Sequence, residues 1–131
     1  MKKKRPARRK KPAAAKALPL KTLHPDFARV VKAFTGERDV TPPHEGRVFG
    51  FRGLKTGGKL FAMMSSKRHF VVKLPKDRVA ALVMERKGTY FDPGHGRLMK
   101  EWLEMQGHER LWLDLAREAR DFVRDGAKRS K

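Results

Sequence analysis

Residues 59–74 read Lys-Leu-Phe-Ala-Met-Met-Ser-Ser-Lys-Arg-His-Phe-Val-Val-Lys-Leu. Lys59 to Ser65 and His69 to Leu74 are strand-like runs of β-branched, aromatic and large apolar residues. Ser66-Lys67-Arg68 between them suits a tight hairpin turn. Two adjacent strands joined this closely run antiparallel. The stretch therefore decides the class: a sheet built from hairpins, not from parallel crossovers.

Working outward, Pro75 opens a helix in which Val79, Leu82 and Val83 form the apolar stripe and Gly88 is the stop. Thr89-Tyr90-Phe91 is a brief strand, and Asp92-Pro93-Gly94-His95-Gly96 a turn. Met99 to Met105 alternates large apolar and charged residues with period two, which predicts another strand, ended by Gly107. A last helix is expected from about Glu109 to Asp125, with Leu111, Trp112, Leu115, Ala119, Phe122 and Val123 on its apolar side and Gly126 as its stop.

In the other direction, Leu54 to Gly58 reads as a turn and Val48 to Arg52 as a short strand. Thr41-Pro42-Pro43 reads as a loop. Pro25 and Asp26 start a first helix with proline in the first turn and a carboxylate at the positive end of its dipole. Phe27, Val30, Val31 and Phe34 then recur at helical spacing, and Gly36 ends it. The element order is α-β-β-β-α-β-β-α. Only one helix lies between strands, so the expected fold is α+β: two layers, with a mostly antiparallel five-stranded sheet packed with helices.

Charge divides the chain differently. Lys and Arg total 33 against 14 Asp and Glu, a formal charge of +19. Residues 1–22 hold ten of the cations and no acid, with Pro6, Pro12 and Pro19 interrupting. Such a segment cannot bury a core, so a disordered basic tail is expected there. A domain is expected over 23–126, with a short basic tail over 127–131. The domain is itself basic.

There is no cysteine, which excludes disulfides, thiolate chemistry and thiolate zinc sites. No apolar run approaches the roughly 18 residues that span a bilayer. Ala13 to Leu20 is too short and too interrupted to form a signal-peptide core. The expected location is the cytoplasm, with association with the nucleoid where DNA is the partner.

Several stretches together resemble the MmcQ/YjbR-like and TfoX N-terminal-like (TfoX/Sxy) families. They are Gly57-Gly58-Lys59-Leu60-Phe61-Ala62-Met63, then Val71-Val72-Lys73-Leu74-Pro75 with Arg78-Val79 and Leu82. The third is Phe91-Asp92-Pro93-Gly94 leading to Gly96-Arg97-Leu98-Met99-Lys100-Glu101-Trp102, closed by the Trp112 helix. The resemblance covers about Leu23 to Arg124. It implies an antiparallel five-stranded sheet with helices, like that of secretion chaperones, and a DNA-binding label. It supplies no catalytic residues. The lysine-rich tail lies outside it and looks like the Lys/Ala/Pro tails of bacterial histone-like proteins.

The tail is the strongest functional signal. Lys2, Lys3, Lys4, Arg5, Arg8, Arg9, Lys10 and Lys11 would each release counterions on meeting a phosphate, giving affinity without base reading. The competing reading is a solubilising tail. In the domain, Lys55, Lys59, Lys67, Arg68, Lys73, Lys76, Arg78, Arg86, Lys87, Arg97 and Lys100 are basic. Of these, Lys59, Arg68, Lys73, Arg97 and Lys100 are the expected contacts, set against an ordinary solvated surface. Trp102 and Trp112 are read as packing residues rather than as base-stacking platforms. The same reading covers Phe61, Phe70, Met63 and Met64.

Chemistry finds little footing. Gly53 to Lys59 nearly satisfies G-x-x-x-x-G-K-[ST], but Leu60 replaces the hydroxyl and a strand follows where a helix is needed. His24, His44, His69, His95 and His108 show no metal-ligand spacing, and Ser65 and Ser66 no nucleophile motif. The sequence thus predicts a non-enzymatic protein without cofactor, metal or small-molecule substrate. Its expected partner is nucleic acid, DNA ahead of RNA. The alternative is a chaperone-like adaptor for an acidic protein, with the tail serving only to localise it.

Overall fold

The computed structural model describes residues 18–44, 53–92 and 99–129. In chain order these form α1 (Pro25–Ala33), β1 (Val40–Thr41), β2 (Leu54–Thr56), β3 (Lys59–Met64), β4 (Phe70–Lys73), α2 (Lys76–Met84), β5 (Thr89–Phe91), β6 (Met99–Met105) and α3 (Glu109–Arg129). The strands make one sheet in the order β1-β2-β3-β4-β6-β5, with every neighbouring pair antiparallel. The fold is α+β. Both β4 and β5 run antiparallel to β6, which lies between them, so α2 is the single crossover.

The sheet has six strands where five were expected. Val40–Thr41 and Leu54–Thr56 pair where the sequence suggests a loop and a turn. Two or three residues are too few to display a period-two pattern. The turn itself is smaller, confined to Gly57 and Gly58, both at positive φ. Two such residues close a two-residue hairpin whose twist matches that of the strands. The expected strand Val48–Arg52 lies outside the described residues, as does the 93–96 part of the turn after Asp92.

Register places Leu54, Ala62, Val72 and Leu103 side by side across four strands, all fully buried. This is the face that α1, α2 and α3 cover, since all three join the same hydrophobic core. Phe70 lies between Phe27 of α1, at 6.1 Å, and Trp112 of α3, stacked at 4.7 Å with planes 9° apart. The β2–β3 register skips Phe61, so Phe61 and its neighbour Ala62 are both fully buried. A bulge of this kind breaks the alternation of faces. It lets Phe61 meet Phe34 at 5.5 Å.

Helix boundaries follow their caps. His24 Nδ1 accepts the Asp26 N–H at 3.1 Å at the head of α1. The fold begins earlier than Leu23: Leu18 N–H donates to the Pro43 carbonyl at 2.9 Å, and Leu20–Thr22 form a 3-10 turn. α3 does not stop at Gly126 but continues to Arg129. An interior glycine costs a helix only about 1 kcal/mol. The buried stripe Trp112, Leu115, Ala116, Ala119 and Val123 anchors the four turns before it.

Gly53 shows how tightly the chain enters β2. A Cβ there would lie 2.6 Å from the Ala62 carbonyl oxygen and 2.8 Å from Met63 Cβ. Backbone cannot retreat cheaply from such a contact. Gly53→Ala is expected to cost about 2 kcal/mol, within the range for overpacking, read as a lower urea midpoint at unchanged slope. A cost under about 0.5 kcal/mol would refute this packing.

Candidate nucleic-acid interface

The expected contact residues do not form one cluster. Lys2 to Lys11 and Arg97 lie outside the described residues. Lys59 is exposed at the start of β3, Lys100 is exposed in β6, and Lys73 is half-buried at the end of β4. These three share one end of the sheet. Arg68 sits in the β3–β4 turn at the other end, roughly 20 Å away at about 3.3 Å per strand residue.

Lys73 faces away from the helices. Its register partner is Trp102, and its Nζ lies 5.7 Å from the Trp102 ring centroid and 3.9 Å from Glu101 Oε1. Among the described residues, no helix covers Trp102. It is half-buried on the sheet face opposite the core, with Met63 and Val71 on that same face. Period two showed that Trp102 keeps company with Lys100 and Glu104; which face that is depends on the register of β4. Trp112, by contrast, is core, and its Nε1–H donates to the Gly107 carbonyl at 2.9 Å. Phe61 and Phe70 are core as expected, and Met64 packs against it, but Met63 does not.

The Arg68 end is where cations gather. β4 starts there, α2 returns there, and α3 begins there, so the β3–β4 turn, the α2–β5 connection and the β6–α3 connection converge. A cleft of about 450 Å³ is lined by Lys67, His69, Arg86, Lys87, Glu104 and His108, among others. An adjoining hollow of about 360 Å³ shares Lys87 and His108 and adds Arg110. Within the cleft, His69 Nδ1 and Glu104 Oε2 lie 2.7 Å apart. Lys67, Arg86 and Lys87 are basic in the sequence without standing out. Arg110 was not signalled at all. The available clue was two dibasic pairs, Lys67-Arg68 and Arg86-Lys87, each at the end of an element.

On the helix side several charges pair off. Arg120, only 14% exposed in its side chain, bonds Glu37 and takes Asp121 at 2.8 Å and Asp39 at 3.6 Å. Burial opposes its charge, but hydrogen bonds to Glu37 and Asp121 outweigh that and raise the guanidinium pKa above its ordinary value. Arg124 contacts Asp39, Asp121 and Asp125 at 3.2–3.9 Å. Arg78 grips Glu118 with two bonds, at 3.0 and 3.1 Å, and Arg29 pairs with Asp26. The helix side is thus laced by ion pairs.

Among the described residues, no three His, Cys, Asp or Glu side chains gather as a metal site would require. No helix among them is long and apolar enough to cross a membrane. The glycine-rich Gly53–Gly58 segment leads into strand β3, not into a helix. Comparison of the chain with protein-family models, with curated proteins and with solved structures finds no match.

Proposed function

We propose that the protein is a non-enzymatic nucleic-acid-binding protein that holds DNA, and secondarily RNA, by neutralising phosphates with little sequence preference. The carrying observation is the uneven cancellation of charge. Asp26, Glu37, Asp39, Glu101, Glu104, Glu118, Asp121 and Asp125 each pair with a basic or histidine side chain of the same molecule. Lys21, Lys32, Arg38, Lys55, Lys59, Lys67, Arg68, Lys76, Arg86, Lys87, Lys100, Arg110 and Arg117 have no ion pair among the described residues, against only Asp77, Glu85, Glu109 and Asp114 among the acids. The surplus of cations is thus left facing solvent, on top of the tail. Phosphate contacts position a protein on nucleic acid without specifying sequence.

The reading also takes the folded part as a distant YjbR-like or TfoX-like domain, on the stretches that form the β2–β3 hairpin, β4 with α2, and β6. The cytoplasm, close to nucleic acid, is the location it implies.

The test is binding of the full chain to unrelated DNA duplexes while salt is varied. Tight binding near 100 mM salt is expected. So is a slope of log affinity on log salt of about −7 or steeper, since each phosphate neutralised contributes about −0.9. Affinities for unrelated sequences should agree within about threefold. Absence of binding near 100 mM salt would overturn the reading and favour an adaptor for an acidic protein, using the helix-free face around Trp102.

A further inference from the structure

The backbone at the cationic end of the sheet is unusual in a way the charges alone do not explain. Among the described residues, three that are not glycine have positive φ: Arg68 at 63°, Arg86 at 61° and His108 at 57°. Arg86 and His108 line the cleft, and Arg68 stands in the chain between two of its lining residues, Lys67 and His69. Arg86 occupies the residue after the C-cap of α2, where its N–H donates to the Val83 carbonyl at 3.0 Å and Lys87 N–H to Leu82 at 2.9 Å. That pair of bonds is the Schellman ending, whose left-handed residue is usually glycine. Arg68 closes the β3–β4 hairpin, with Arg68 N–H on the Ser65 carbonyl at 2.9 Å and Ser65 N–H on His69 at 2.8 Å. This is a three-residue loop whose last residue is left-handed, again a glycine position. His108 takes the same conformation just ahead of α3.

A side chain with Cβ is disfavoured in this conformation. A cation needed only for solubility has many relaxed surface positions to occupy. Here two arginines and a histidine stand where glycine would be more comfortable. Arg86 and His108, with Lys67, Lys87 and Arg110, line one open groove, and the strained Arg68 shapes the turn that carries Lys67 and His69. Strain retained at converging charged residues points to a ligand. The groove is lined by cations on both walls. Two acids line it: Glu104, which is met by His69, and Glu109 at the start of α3.

We propose that this groove, running from Lys67 past Arg86 and Lys87 to Arg110, is the phosphate seat of the folded domain, taking successive phosphodiester groups of a nucleic-acid strand. The proposal rests on the nucleic-acid reading above and replaces the sheet-end residues Lys59, Lys73 and Lys100 as its centre. The two hollows adjoin through Lys87 and His108 and are open. That suits a strand passing through rather than one enclosed small anion.

The experiment uses full-length chains and one DNA duplex. Arg86→Gly should raise Tm by about 3 °C, by relieving the left-handed residue. It should at the same time lower affinity about fivefold near 100 mM salt and make the salt slope shallower by about 1. A merely structural Arg86 would not move the two readouts in opposite directions. The triple change K67Q, R86Q and K87Q should lose about 100-fold in affinity. The charge-matched triple K32Q, R38Q and R117Q, exposed and remote from the groove, should lose no more than about threefold. Inorganic pyrophosphate should displace DNA only weakly. Equal losses from the two triples would show that net charge alone governs binding and would overturn the groove while leaving the nucleic-acid reading intact. Displacement by micromolar pyrophosphate with equal triples would instead make the groove a site for a small free phosphate, and would also overturn the proposal. Failure of the unmodified chain to bind DNA would remove the nucleic-acid reading itself.

Discussion

Exchanging Lys2, Lys3, Lys4, Arg5, Arg8, Arg9, Lys10 and Lys11 for glutamine in the full chain is expected to lower its affinity for duplex DNA by roughly 1,000-fold near 150 mM salt. The magnitude follows from counterion release. Eight phosphate contacts contribute about −7 to the slope of log affinity against log salt, and contacts in that number account for losses of about 10³ to 10⁵ between low and moderate salt. The variant should keep a residual slope of about −3, from the cations of the folded domain. A second variant, with the same eight positions all lysine or all arginine, should bind within a few-fold of the original, because neutralisation needs charge and not the arginine fork. An unchanged slope in the glutamine variant would exclude the tail as the grip. A large loss in the all-lysine variant would instead show that the arginines are read geometrically.

The division of labour implied by these experiments has a physical basis. A tail with ten cations, three prolines and no acid is joined to a domain that is itself basic and many of whose acids already hold cations of their own. The domain adds cations fixed in space, at the end where three connections converge. On the proposed reading, the tail's charge would supply affinity and association rate, and charge fixed on the domain would supply orientation.

Much of the architecture was legible in the sequence because local chemistry and global fold agree there. The 59–74 hairpin announces itself by composition and turn, and α1 and α3 by spacing of Phe27, Val30 and Val31 and of Trp112, Leu115 and Ala119. The bulge at Phe61 was not legible, since alternation assigns Phe61 and Ala62 to opposite faces and only the β2 partner reveals the extra residue. β1 and β2 were too short to carry a period. The side of the sheet on which Trp102 lies depends on its pairing with Lys73, a contact between distant residues. The groove was hidden for the same reason: Lys67-Arg68 and Arg86-Lys87 are separate dibasic pairs in the chain. Only the crossover through α2 brings them together. What composition did disclose, a basic domain beneath a basic tail, needs no topology to be read.

Trp112→Ala is expected to lower the stability of the domain by about 4 kcal/mol, the largest single effect among its core residues. Trp112 is 2% exposed and lies face to face with Phe70. Its removal opens a cavity at the junction of α1, α3 and β4 and forfeits an aromatic pair worth about 1 kcal/mol beyond area alone. It also strips the Gly107 carbonyl of the indole N–H that it accepts at 2.9 Å. Domains of this kind are stable by only about 5–15 kcal/mol, so the variant should unfold at a much lower urea concentration. Trp112→Phe separates the contributions. It keeps a ring against Phe70 but cannot donate to Gly107, and should cost about 2 kcal/mol. Trp102→Ala, on the half-buried helix-free face, should cost about 1 kcal/mol. Urea titrations followed by far-ultraviolet circular dichroism measure all three, and Trp102 remains as a fluorescent reporter in both Trp112 variants. A Trp112→Ala cost below that of Trp102→Ala would overturn the assignment of the two tryptophans to opposite sides of the sheet. Because Gly107 immediately precedes His108 at the groove, Trp112→Phe should also weaken DNA binding without any change of charge. A structural residue outside the interface would then be seen to act through the backbone it holds.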